Sequence, residues 1–391
     1  MSITLTPITA GHAFTRNPLL LSMPGTGQCV FSVYGQGYTS TRPAYKGEVI
    51  TPVVVNLAEF IEAIIPPIDD PGEHDSMICY GLQDGSITIA VDDGSQDPPS
   101  WTICAHQGGV SKQNYRKLSQ AGTDIFAARF LNPRCNFFLT TRTHDWRLNI
   151  KETELYPLVF FYPLQGTLSL KDIISGNTVS LPAVSNQVDY HGKICCINIK
   201  AIRQYFLDEY DCIANAFDVF VDDGPAARIV IQKARPQRER YRLKFRNSFG
   251  AFEIIELTGN AQINPTVEED DENSYQQYQT DIDDFETARQ RQALRQSIKI
   301  TTGYKTNSEL CFILDAIASD ETYLLDMAND PVKVTVKADE MYYDHQPGSP
   351  QVFNIELTPV DAETCITGDI DSEVMPVRGG LFSPEFTEIF D

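Results

Sequence analysis

The chain has 391 residues, 42% hydrophobic and 21% charged, which is enough apolar side chain to order several domains of ordinary size. Thirty-one Lys and Arg stand against 53 Asp and Glu, and the resulting formal net charge of −22 repels phosphate backbones, which argues against nucleic-acid binding. No run approaches the roughly 18 consecutive apolar residues that cross a bilayer, which argues against membrane insertion.

The first residues, MSITLTPITAGHAFTRNPLLLSM, lack a basic segment followed by a continuous apolar one, so synthesis and folding in the cytoplasm are expected. The 9 cysteines (Cys29, Cys79, Cys104, Cys135, Cys195, Cys196, Cys212, Cys311 and Cys365) are odd in number, scattered and mostly flanked by apolar residues. In a reducing compartment that pattern favours buried free thiols over disulfides. Cys195 and Cys196 are adjacent, and in a strand their sulfurs would point to opposite faces. Without a CxxC pair, a zinc site is disfavoured, and no metal or cofactor is expected.

Short runs rich in Val, Ile, Phe, Tyr and Thr predict strands over 28–34, 47–55, 155–162 and 227–232. Between them stand Gly, Pro and Asp, the pattern of antiparallel sandwiches. The chain also resembles itself. The segment 55–65 (VNLAEFIEAII) recurs as 197–207 (INIKAIRQYFL), each a strand running into a short helix, with Asn56 or Asn198 placed to cap it. Ile89-Ala90-Val91-Asp92-Asp93-Gly94 recurs as Val219-Phe220-Val221-Asp222-Asp223-Gly224, a strand ending in turn residues. Phe130-Leu131-Asn132 with Phe137 recurs as Phe245-Arg246-Asn247 with Phe252. These matches predict two related β-sandwich-like modules, 1–145 and 146–259.

Residues 260–297, with Glu268-Glu269-Asp270-Asp271-Glu272, suggest an acidic linker or solvated arm and no calcium loop, since the carboxylates lack the glycine turn and alternating ligands. Asp369, Asp371 and Glu373 have no supporting motif either. An α+β module is expected over 298–366: strands at 295–301, 322–325, 332–336 and 351–357, and a helix capped by Asn307 or Ser308 with Leu310, Ile313, Leu314 and Ile317 as its apolar stripe. The tail 367–391 has little periodicity and suits an arm that orders against a partner. The fold class is therefore mainly β: two tandem sandwich-like modules with short helices, then a smaller α+β module.

No residues announce catalysis. His12, His74, His106, His144, His191 and His345 show no metal-helix spacing, and phosphate-loop, nucleophile-elbow and dinucleotide fingerprints are absent. Cys104 and His106 share a strand face, which packing explains as well as nucleophilic chemistry does. Tyr34, Tyr38, Tyr45 and Trp101 could stack on a sugar ring, which makes a carbohydrate-binding or adhesive sandwich the alternative reading. The basic run 233–246 stands out on so acidic a chain. Its candidate interface residues are Lys233, Arg235, Arg238, Arg240, Arg242, Lys244 and Arg246, with Tyr241, Leu243 and Phe245 alternating between the last of them. One cationic and one apolar face would let this strand grip an acidic segment, 268–272 or 281–284, of the same chain or of another copy.

Three strings occur together in order: Ala13-Phe14-Thr15-Arg16-Asn17-Pro18-Leu19-Leu20-Leu21; Tyr241-Arg242-Leu243-Lys244-Phe245-Arg246-Asn247-Ser248-Phe249-Gly250; and Thr301-Thr302-Gly303-Tyr304-Lys305-Thr306-Asn307-Ser308-Glu309-Leu310. The set resembles a family of structural proteins encoded in the tail modules of Bacteroidetes phages and prophages, over about residues 13–357. That resemblance implies a virion component, a distal tail or baseplate subunit without enzymatic activity. It further implies assembly with copies of itself into a ring of threefold or sixfold symmetry, joining tail-tube, hub or receptor-binding proteins.

Overall fold

The computed structural model describes residues 2–6, 11–35, 37–72, 74–144, 146–155, 157–161, 167–181, 193–233, 241–267, 274–289, 294–306, 309–325, 331–338 and 352–362. The protein is mainly β and divides into two compact units, 1–234 with 246–253, and 235–245 with 254–391.

The first half of the first unit contains β1 (Thr4–Thr6), β2 (His12–Phe14), β3 (Leu20–Met23), β4 (Gly27–Gly35), β5 (Tyr38–Lys46), β6 (Val53–Asn56), α1 (Ala58–Glu62), β7 (Ile78–Asp84), β8 (Ser86–Asp92) and β9 (Ser100–His106). Sheets β2-β9-β8-β4-β5 and β1-β3-β6 face one another across a core of Leu21, Met23, Phe31, Val33, Ile61, Ile89 and Ile103. Helix α2 (Lys112–Gln120), with Ser111 as its cap and no buried residue, follows, then a π-helical turn at 126–130. Neither was anticipated; α2, being exposed, carries no apolar stripe.

The second half comprises β10 (Thr143–His144), β11 (Arg147–Lys151), β12 (Leu158–Phe161), β13 (Leu168–Asp172), β14 (Thr178–Ser180), β15 (Lys193–Ile197), α3 (Ile199–Tyr210), β16 (Ala216–Val221) and β17 (Gly224–Gln232), in sheets β10-β11-β17-β16-β13-β14 and β12-β15-β7.

The two halves share one topology. Strand β2 runs parallel to β9 as β11 runs parallel to β17. The antiparallel pairs β3·β6 and β4·β8 recur as β12·β15 and β13·β16. Even the flanking strand β1 has its echo, a bridge from Phe138 to Phe160 on β12. Asn56 and Asn198 occupy the same strand-to-helix junction. Asn198 Oδ1 accepts from Ala201 N, and Asn56 Oδ1 accepts from Leu19 N and Ala58 N. The Phe130 and Phe245 match is not part of this repeat: Phe130 lies in the π-helical turn and Phe245 in a strand.

Strand β7 breaks the symmetry. It leaves the first half and pairs with β15 of the second, so Cys79 stands opposite Cys196. The sheet β12-β15-β7 is thereby covered on both faces: Phe160, Cys195 and Ile197 enter the second sandwich core, while Val159, Phe161, Ile194 and Cys196 join Phe14, Phe126, Phe130 and Phe249 in a separate cluster between the halves. A sheet buried on both sides accounts for the unbroken apolar run Leu158–Phe161.

The second unit is built on one sheet, β19-β18-β24-β25-β26-β23-β20, from β18 (Tyr241–Arg246), β19 (Phe252–Leu257), β20 (Ala261–Val267), β23 (Leu294–Thr301), β24 (Thr322–Leu325), β25 (Pro331–Ala338) and β26 (Asn354–Pro359). A separate hairpin pairs β21 (Ser274–Gln279) with β22 (Asp284–Arg289), and α4 spans Leu310–Ala318. The expected boundaries at 259 and 298 are displaced: β18 and β19, assigned from sequence to the second sandwich, belong to this sheet. There Leu243, Phe245, Ile255 and Leu257 bury against Phe312 and Ile313 of α4. The helix is rotated from the expected stripe, with Phe312, Ile313 and Ala316 inward and Leu314 exposed. Asn307, Ser308, residues 268–272, His191, His345, Cys365 and the tail 367–391 lie outside the described residues.

Candidate functional site

The described parts of residues 260–297 are mostly strand where sequence suggested a linker. Strand β20 pairs with β23 from Ala261–Ile300 to Val267–Leu294, and the β21–β22 hairpin follows within the same excursion. Six of the seven residues of β20 are exposed, and Pro265 removes a donor from this edge strand. Ile263 is 62% and Phe285 61% exposed, and Tyr275, Tyr278 and Ile282 are exposed too. Tyr278 and Phe285 pair across the hairpin with ring centroids 5.2 Å apart, and Gln276 Nε2 donates to Thr287 Oγ1 at 2.9 Å on the same face. The turn carries exposed Asp281, Asp283 and Asp284, and the Tyr278 hydroxyl donates to Asp283. The β21–β22 hairpin thus has aromatic faces and an acidic tip.

The basic strand splits by role. Arg235, Arg238 and Arg240 lie outside the described residues; Lys233 is exposed after β17. Arg242 and Lys244 are half-buried and alternate with Leu243 and Phe245, which face the α4 side. Arg246 departs from the expectation of a surface cation. It is buried, donates from Nη1 to the carbonyls of Ile68 and Gly250 at 2.8 Å each, and lies over the Phe252 ring at 4.3 Å. A guanidinium committed to two carbonyls fastens the 246–253 turn and offers nothing to a second subunit.

That turn is held by a second buried network. Asn247 Nδ2 donates to Leu139 O and Glu253 Oε2, both at 2.7 Å. Thr140 Oγ1 donates to Glu253 Oε1 at 2.5 Å, and Arg142 reaches Glu253 Oε1 from Nε at 3.3 Å and Glu154 Oε2 from Nη1 at 2.9 Å. The two carboxylates hold the Arg142 pKa above its usual value against its burial.

His106 lies buried where β9 meets Phe161 and Phe126. Its Nδ1 donates to Gln83 Oε1 at 3.1 Å, so Nε2 accepts from His12 Nδ1, also at 3.1 Å. Burial, with His12 adding to it, pushes the His106 pKa well down. Both His106 ring nitrogens are thus engaged by Gln83 and His12. The aromatic platform is not assembled either. Tyr34 and Tyr45 share a face of the β4–β5 ribbon at opposite ends, Tyr38 sits on the other face, and Trp101 packs on the first core.

One group of soft ligands converges that sequence spacing did not bring together: His74, Cys79 and Cys196, whose ligand atoms all lie within 4.8 Å of one another. The signal available in sequence was the alternation that puts Cys196 opposite in sense to Cys195; the missing information was the long-range pairing of β7 with β15.

Comparison of the chain with protein-family models, curated proteins and solved structures finds no match.

Proposed function

We propose that the chain is a structural subunit of a phage virion, made in the host cytoplasm and placed in the tail at the distal or baseplate end. There it assembles with copies of itself into a ring of threefold or sixfold symmetry and joins tail-tube, hub or receptor-binding proteins. The observation that carries this reading is the arm. The edge strand β20 exposes Ile263 and the β21–β22 hairpin exposes Tyr275, Tyr278, Ile282 and Phe285; exposed apolar side chains and a strand edge are natural places for a second chain to add. Identical subunits that meet arm to body make a heterologous contact, and such contacts close into rings when the rotation permits. Lys233, exposed after β17, is a cation that the acidic tip of a neighbouring arm would meet; the association would then weaken as salt screens it beyond about 8 Å.

The test is to image virions carrying an epitope tag on this chain, decorated with antibody. Label at the tail end supports the reading, and absence of the protein from purified particles refutes it.

A further inference from the structure

A cluster of soft ligands stands at the start of β7. His74 precedes that strand, Cys79 is its second residue, and Cys196 is the residue opposite Cys79 on β15. His74 Nε2 lies 3.8 Å from Cys196 Sγ, while its Nδ1 is buried with no hydrogen-bond partner among the described residues. Asn198 Nδ2 donates to the His74 carbonyl at 2.6 Å, fixing the backbone that carries the ring. A tetrahedral zinc with Zn–S of about 2.3 Å and Zn–N of about 2.1 Å sets its sulfur and nitrogen ligands about 3.6 Å apart, close to the 3.8 Å between His74 and Cys196.

We propose that His74, Cys79 and Cys196 form a binding site for one zinc ion, with a fourth position left to water or another donor. Two thiolates neutralise the dication, so the filled site is uncharged and suits its place beside Val159, Phe161 and Ile194. Soft thiolates with an imidazole select zinc over magnesium or calcium. The role is structural: the ion ties the segment that leaves the first sandwich to β15 of the second, across the seam where the repeat symmetry fails.

The experiment uses the full chain, reduced and stripped with chelator, then titrated with Co²⁺ alone as a spectroscopic substitute for zinc. One equivalent is expected to produce a thiolate-to-cobalt charge-transfer band and intense tetrahedral ligand-field bands, both erased by one equivalent of Zn²⁺. His74→Ala and Cys79→Ser should each abolish the bands, whereas Cys311→Ser, at an exposed thiol, should leave them intact. His74→Ala removes a half-exposed side chain, so it keeps the test valid if a cysteine variant fails to fold. Absence of the bands in folded, reduced protein, their survival in His74→Ala, or a Cys79–Cys196 disulfide in the protein as isolated would each overturn the proposal.

Discussion

Replacing Arg142 by Met should expose how much of the first unit depends on its buried charge network. The guanidinium is the cationic partner of Glu154 at 2.9 Å and Glu253 at 3.3 Å, and all three side chains are at most 7% exposed. Methionine fills similar volume but strands two carboxylates in a low-dielectric site. Breaking a buried pair from one side typically costs about 3–5 kcal/mol. The sign of the pH dependence follows. Without Arg142 the two carboxyls have folded-state pKa values raised above the unfolded value of about 4.3, so acidification protonates them preferentially in the native state. The stability gap to the parent should therefore be widest near pH 7 and shrink as pH falls toward about 4.5. Both tryptophans, Trp101 and Trp146, lie in the first unit, so urea unfolding followed by tryptophan fluorescence reads that unit alone. The triple variant with Glu154→Gln and Glu253→Gln should recover part of the loss. A single-variant loss below about 1 kcal/mol, or one that does not change with pH, would show that water reaches these carboxylates and refute the reasoning.

Two further outcomes follow from buried groups in the same unit. His106 has its folded-state pKa depressed by burial and by His12, so the unfolded chain binds a proton that the native state refuses; fluorescence-detected stability should be level above about pH 6.5 and fall as pH drops below it, a limb that His106→Phe should flatten. Gly250 has φ +85° and its added Cβ would collide with the carbonyl oxygen of Gln107, so Gly250→Ala should cost at least about 1–3 kcal/mol in the same assay, and an unchanged midpoint would contradict the close approach of these two turns.

Local rules made much of the fold legible, and pairing rules hid the remainder. Asn198 capping α3 could be read from its position between an apolar strand and residues at helical spacing, and the Asp222-Asp223 turn from its chemistry: it joins β16 to β17 with Asp222 at φ 51°. The duplication was visible in two short matches because strand-to-helix junctions and turns keep their residues while loops change length. The third match failed because Phe-x-Asn is too short to fix a conformation; Phe130 and Phe245 answer to different cores. Strand β18 was assigned to the wrong module for a related reason: alternation predicts a strand and its two faces but not which sheet receives it. Arg246 likewise alternates like a surface cation, and only the return of the 246–253 turn into the first unit gives it two carbonyls to bind. The His74, Cys79 and Cys196 cluster was invisible for the same cause, since two of its members meet only through β7 crossing to β15.

The central claim, self-assembly through the arm, is tested most directly by the mass of the full-length chain in solution, measured by light scattering at low salt over a range of concentrations. A discrete particle of three or six times the 43.8 kDa protomer, dissociating in the Tyr275→Ser, Phe285→Ser double variant with each unit still folded, is the predicted result. A single species of 43.8 kDa at every concentration, or a ring that the double variant leaves intact, would contradict it.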